Sequence, residues 1–238
     1  INDSFSIDEY DGYLRVVTTD DETNGLYILD SNMKEVGSIT GLAEGEQVYS
    51  ARLLGDTGYF VTYEQVDPLF SVDLSDPEKP KILGKLKIPG FSEYLHFYGE
   101  DRLLGIGMST DEESGVAEGV KITMFNISDR SDVKEESTLV LDDLYGSHAA
   151  YDYKSVLADP EKNVIGLSGY SQNGESYYLL TYNRTDRKFE TILQEEVNGN
   201  TSQGIRGIYI EDTLYVISGN IIEAYDMNTG VKSGDIIL

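Results

Sequence analysis

Apolar and polar positions along the chain alternate in short runs broken by turn residues, and the runs recur as a set. One run per set ends on Asp or Asn followed by turn formers: "GLYILDSN" with Asp30, "LFSVDLSD" with Asp73, "ITMFNISD" with Asn126, "YLLTYNRT" with Asn183 and "IIEAYDMN" with Asp226. The intervals between these positions are 43, 53, 57 and 43 residues. A short Asx side chain accepts a hydrogen bond from a backbone N–H two residues on and closes a turn at a strand end, so these positions read as turns rather than catalytic carboxylates.

Ahead of each lies a second run: "YLRVVTTD", "YFVTYEQV", "LLGIGMST", "VIGLSGYS" and "LYVISGN". Tight turns precede these, such as Asp11-Gly12, Asp159-Pro160 and Glu211-Asp212, and before the turns come first strands in "SFSIDEY", "YSARLL", "YLHFY", "YKSVLA" and "RGIYI". A more polar fourth strand closes each set, as in "KEVGSIT" and "KILGKLKI". Lys34, Lys81, Lys85, Lys134, Lys188 and Lys232 fall in or beside those fourth strands, as expected of edges guarded against pairing with other chains.

Four strands repeated five times without an amphipathic helix predict an all-β fold, a β-propeller of five four-stranded antiparallel blades over residues 1–238. The blades fall at about 4–42, 48–89, 94–141, 149–197 and 204–238. Pro77 and Pro80 mark the turn between the third and fourth strands of blade two, where no ladder N–H is lost.

Composition narrows the function. The 238 residues carry 43 acidic against 18 basic side chains, a net charge of −25, so the surface repels phosphate backbones and nucleic acid is not expected as a partner. With no cysteine there is no disulfide, thiolate nucleophile or Cys-ligated metal. No run reaches the ~18–20 apolar residues that span a bilayer. The chain opens at Ile1 rather than Met, which leads us to expect an upstream part of the same polypeptide.

The run "DPLFSVDLSDPEKPKILGKLKIPGFSEYLH", with "FSIDEYDGYLRVVTT" before it and "IRGIYIEDTLYVIS" near the end, resembles the secreted prokaryotic proteins whose C-terminal β-propeller is distantly related to WD repeats. The resemblance runs from about Phe5 to the C-terminus. It implies an extracellular or cell-envelope address and a propeller that begins upstream of Ile1, and it brings no established activity. Where relatives carry "YLHPY", this chain has "YLHFY" with Phe97, and Tyr151 and Tyr153 stand where relatives have histidines.

Propeller sites form where inner strands converge at a channel mouth. Aligned on the following turn, Asp8, Arg52 and His96 share one register, and Lys154 and Arg206 fall two residues earlier, with Ser50 and Tyr94 their counterparts. Positions two apart on a strand point the same way. This gives one ionisable residue per blade on one side of the inner layer, with Tyr94 beside them, a candidate site for a small anion. The competing expectation is that these cations merely pair with Asp8, Glu9 and Asp152 in a wet channel.

Other motifs carry less. His96 and His148 are the only histidines and read as satisfied structural groups; neither a metal site nor any cofactor is expected. "GIG" at 105–107 lacks a dinucleotide-binding context, "GLSGY" has the wrong spacing for a nucleophile elbow, and "STDEESGVAEG" at 109–119 reads as a loop. No catalytic residue is assigned. The expectation is a non-enzymatic extracellular or envelope-associated binding scaffold for a protein or small anionic ligand. The alternative is a hydrolase or lyase acting on a small anionic or carbohydrate substrate through Asp8, His96 and Arg52.

Overall fold

A computed structural model describes residues 1, 3–20, 23–63, 67–88, 90–111, 114, 116–198 and 204–238. The described residues form five antiparallel sheets, and in four of them the strands are hydrogen-bonded in chain order. The first holds β1 (Ile7–Tyr10), β2 (Tyr13–Thr19), β3 (Asn24–Leu29) and β4 (Glu35–Leu42). The second holds β5 (Gln47–Leu54), β6 (Thr57–Tyr63), β7 (Asp67–Asp73) and β8 (Lys81–Ile88), and the third β9 (Phe91–Phe97), β10 (Arg102–Thr110), β11 (Ala117–Asn126) and β12 (Lys134–Leu141). The fifth holds β18 (Ile205–Ile210), β19 (Thr213–Ser218), β20 (Ile221–Asp226) and β21 (Lys232–Ile237). Residues 112, 113 and 115 of the expected loop at 109–119, and Pro89, lie outside the described residues.

The fourth sheet departs from the sequence expectation. Its inner strand is not "YKSVLA": two short pieces, β13 (Gly146–Ser147) and β14 (Leu157–Asp159), both pair with β15 (Val164–Ser171), followed by β16 (Gly174–Asn183) and β17 (Lys188–Glu196). Between the pieces, His148–Ala150 and Tyr153–Ser155 form single 3-10 turns. The cause is local capping: the Ser147 hydroxyl accepts from the Ala149 N–H and the Asp152 carboxylate from the Lys154 N–H. These side chains offer the backbone an alternative to ladder bonds. Lys154 is therefore on a turn and not on a strand.

Every repeated Asx residue closes its turn as its chemistry dictates. Oδ1 of Asp30, Asp73, Asn126, Asn183 and Asp226 accepts the backbone N–H two residues on, from Asn32, Ser75, Ser128, Thr185 and Asn228, at 2.8–3.0 Å. For Asp73 the Ser75 hydroxyl joins at 2.6 Å, and together these donors hold its carboxyl down at about 2.

The chain divides into two compact units. The first comprises Ile1–Gly105, Thr110–Val116 and Phe125–Glu135, and the second Ile106–Ser109, Ala117–Met124 and Glu136–Leu238. Within the first, Val17, Leu26, Ile28, Phe60, Phe70 and Val72 build one core cluster, and Tyr59, Val61, Leu95, Leu103 and Phe125 another. The second unit is centred on Tyr177, Leu179, Ile205, Leu214, Val216 and Tyr225. Each fully buried Leu, Ile or Phe contributes ~1.5–3 kcal/mol relative to exposure.

Glycines set the closest approaches within each unit. In the first, a Cβ on Gly37 of β4 would overlap the Pro77 carbonyl, so the Pro77–Pro80 turn of the second sheet lies directly on the outer strand of the first. In the second, the Tyr177 ring ends between Gly166 of β15 and Gly207 of β18, where a Cβ on either would overlap its hydroxyl.

Candidate functional site

In the first unit the candidate residues separate into two groups. Asp8 does not face Arg52. It is paired across the β1–β2 hairpin with Arg15, whose Nε donates to Oδ1 at 2.7 Å and Nη2 to Oδ2 at 2.5 Å. The remaining Arg15 donor, Nη1, reaches the Gly55 carbonyl, and the guanidinium lies 5.0 Å from the Tyr10 ring centroid. Arg15 is 2% exposed, so this fork-to-fork pair is a structural ion pair with its donors occupied.

Arg52, Tyr94 and His96 do come together. The Arg52 side chain leaves β5 and its guanidinium carbon rests 3.2 Å from the Phe5 ring centroid and 4.8 Å from that of Tyr94. Tyr94 and His96, two apart on β9, stack at 6.0 Å between centroids, and the Tyr94 hydroxyl lies 3.0 Å from His96 Nδ1. The strand period placed both side chains on one face, as the sequence register required.

Arg52 is 7% exposed, yet its Nη1 has no hydrogen-bond partner among the described residues. Burial lowers the Arg52 pKa, with the Tyr94 hydroxyl and the Asp3 carboxylate pulling the other way. Burial, and then the Arg52 charge, push His96 down to about 4, so its ring is neutral near pH 7. Burial also raises the Glu93 carboxyl. The result is a desolvated cation between two aromatic faces beside a neutral imidazole, with one N–H donor unspent. Such a donor suits an anionic oxygen.

In the second unit, Asp152 connects the other two candidates. Its carboxylate accepts from the Lys154 backbone N–H at 3.0 Å and lies 3.7 Å from Arg206 Nη2. Lys154 Nζ sits 5.7 Å from the ring centroid of Tyr153. Both cations are much more exposed than Arg52, with the Arg206 side chain 47% exposed. Pairing with Asp152, which the sequence raised as a competing expectation, describes Arg206 and does not describe Arg52.

Sequence reasoning missed Phe5 and Arg15. A charged residue inside the apolar run "YLRVV" was the available signal for Arg15, since counting back across the Asp11-Gly12 turn pairs it with Asp8. Phe5 carried no signal: it precedes the first strand, in a turn where Asp3 Oδ1 accepts the Phe5 and Ser6 N–H groups.

His148 has a different role. Its Nδ1 lies 3.0 Å from the Ser168 hydroxyl and its Nε2 3.5 Å from Glu175, a serine, histidine and carboxylate in series. Ser168 is fully buried, and the contacts tie the 3-10 turn to β15. Among the described residues, no group of three or more His, Cys, Asp or Glu is placed to hold a metal ion, and no helix is long and apolar enough to cross a membrane.

Known proteins place the chain in a family. An uncharacterized protein of Archaeoglobus fulgidus is 42% identical over 235 residues, covering 98% of this chain and 35% of that protein. One from Methanocaldococcus jannaschii is 38% identical over 232 residues, covering 94% of this chain and again 35% of the relative. The chain thus spans about a third of the length of these relatives. Among solved structures, a Lactobacillus plantarum protein matches with a TM-score of 0.60 at 13% identity, covering 96% of this chain and 69% of that one. Citrobacter koseri AztD matches at 0.61 and 14%, covering 98% and 58%. At such identities the likeness shows the fold alone. The model of the Beta propeller domain family matches residues 1–230, and the chain belongs to that family.

Proposed function

We propose that this propeller chain is a non-enzymatic binding scaffold of an extracellular or cell-envelope protein, with a small-anion site at Arg52. The address rests on the resemblance to secreted prokaryotic proteins with propellers distantly related to WD repeats. The anion site rests on one observation: a 7% exposed guanidinium whose Nη1 has no hydrogen-bond partner among the described residues. Leaving a buried charged donor unspent costs more than a neutral one, and a carboxylate, sulfate or phosphate oxygen would relieve that cost. Tyr94 and the neutral His96 supply the adjoining polar edge, and Phe5 excludes water from the far face.

The hydrolase or lyase reading has no comparable support, because its carboxylate, Asp8, is held by both arms of Arg15. Thermal unfolding in matched concentrations of sodium chloride, sulfate, phosphate and acetate tests the proposal. One of the oxyanions should raise the unfolding temperature of the wild type at constant ionic strength and leave Arg52→Met unmoved, with Arg206→Ala behaving as wild type. If no oxyanion separates wild type from Arg52→Met, the anion site is wrong.

A further inference from the structure

Among the described residues, only the fourth sheet interrupts its inner strand. In the other sheets β1, β5, β9 and β18 run without a break, whereas β13 and β14 are separated by the turns that carry His148, Tyr151 and Asp152. Breaking a strand gives up ladder hydrogen bonds, and irregular segments held on a rigid sheet are where binding residues concentrate.

The inserted turns pack on one row of their own sheet. Register sets Gly146 of β13, Tyr170 of β15 and Glu175 of β16 side by side, and Ser168, two residues before Tyr170, shares their face. A Cβ on Gly146 would lie 2.7 Å from the Tyr170 hydroxyl, so the phenol ring lies over the glycine. His148 rests on this face, with Nδ1 3.0 Å from the Ser168 hydroxyl and Nε2 3.5 Å from Glu175 Oε2.

Three rings meet there at steep angles. The His148 ring centroid is 5.6 Å from that of Tyr151 and 5.6 Å from that of Tyr170, with interplanar angles of 66° and 87°. Tyr151 and Tyr170 are 68% and 37% exposed and His148 only 6%, so a buried imidazole backs two accessible phenol rings. Burial first, and then Tyr170, Glu175 and Asp152, raise the pKa of the Tyr151 hydroxyl. These groups therefore lie within electrostatic reach of Tyr151, which is a neutral phenol near pH 7.

Charge decides what such a corner attracts. Arg206 answers Asp152, but no lysine or arginine pairs with Glu175 among the described residues. Glu175 Oε2 is buried and has no hydrogen-bond partner among them. Its charge acts on the rings as a field, while the oxygen itself is shielded from a ligand's N–H. A primary ammonium must replace the hydrogen bonds it loses on leaving water. A quaternary ammonium has no N–H to satisfy, and aromatic faces hold it through their quadrupoles.

We infer that the corner formed by His148, Tyr151, Tyr170 and Glu175 binds the trimethylammonium group of a small soluble cation. Tyr151 and Tyr170 present the aromatic walls, His148 braces them, and Glu175 supplies the counter-charge. The acidic chain, at a net charge of −25, favours the approach of such a cation. All four residues belong to the second unit, and the site is independent of the one at Arg52 in the first.

Saturation-transfer NMR on the trimethyl protons of choline, with the full-length protein, tests this. Choline should give a saturable signal that tetramethylammonium displaces and an equal concentration of ammonium chloride does not. Dimethylbutanol, the neutral carbon isostere of choline, should give no saturable signal. Tyr151→Ala and Glu175→Gln should each weaken choline about tenfold, while Tyr151→Phe binds as wild type. Tyr151 is an exposed turn residue, so its truncation leaves the core of the second unit in place. Absence of a saturable choline signal, equal displacement by ammonium, equal binding of the neutral isostere, or wild-type affinity in Tyr151→Ala would each overturn the inference.

Discussion

The guanidinium carbon of Arg52 sits 3.2 Å from the ring centroid of Phe5, a residue 47 positions earlier that precedes the first strand. An aromatic face both excludes water from a cation and attracts it through the ring quadrupole. Replacing Phe5 with alanine should therefore lower stability by ~1 kcal/mol, with Phe5→Leu in between, as measured by urea unfolding. Wild-type stability in Phe5→Ala would show that the stack contributes nothing.

Asp8 separates a structural from a ligand-binding role. Arg15 is 2% exposed and depends on this carboxylate for two of its hydrogen bonds. Asp8→Ala leaves a buried guanidinium without its counter-charge, at a cost of ~3 kcal/mol. The double substitution Asp8→Ala with Arg15→Met should recover part of that loss in denaturant unfolding. A single Asp8→Ala variant of wild-type stability would return Asp8 to the list of ligand candidates.

The strand repeat and the five Asx turns were legible in the sequence because both are local. A period of two and a side chain reaching its own backbone two residues on need no tertiary information. Tyr94 with His96 was legible for the same reason. The inner strand of the fourth sheet was not: "YKSVLA" has strand-forming residues, but the Asp152 cap on the Lys154 N–H diverts it into a turn. Phe5 against Arg52, and Tyr177 against Gly166 and Gly207, are meetings of distant segments that local patterning does not encode.

Tyr177 offers a stability test in the second unit. Its hydroxyl is buried without a hydrogen-bond partner among the described residues, and burial raises its pKa. A methyl group on Gly166 would overlap that hydroxyl, while the next ring atom lies 3.0 Å away. Overpacking of this kind costs ~1–3 kcal/mol. Gly166→Ala should destabilise by that amount and be largely rescued by Tyr177→Phe. Gly207→Ala should be rescued less, because there the ring carbon itself would lie 2.5 Å from the added Cβ. Equal rescue at both positions would contradict the packing described.

Acid sensitivity should carry the signature of His96. Its pKa of about 4 in the folded protein lies below the ordinary value of 6.5, so protons favour the unfolded chain. The associated stability is fully present above pH 6.5 and is lost as pH falls towards about 4. At ~1.4 kcal/mol per pKa unit the loss is about 3 kcal/mol. The Asp73 contribution follows at lower pH, present above 3.8 and lost as pH falls through about 2. His96→Gln should flatten the stability profile between pH 6.5 and 4 and leave the lower limb unchanged. An unaltered slope in that window would place the acid sensitivity elsewhere.

The anion site is tested most directly at His96, because with two histidines in these 238 residues the imidazole resonances are readily assigned by NMR. The Arg52 charge is one of the two causes of the low His96 pKa, so an oxyanion bound at Nη1 would cancel part of it. Titrated with and without saturating sulfate at constant ionic strength, wild-type His96 should move up from about 4 in sulfate. In Arg52→Met it should start higher and not respond. A wild-type His96 pKa that ignores sulfate, or one that responds equally in Arg52→Met, would contradict an anion site at Arg52.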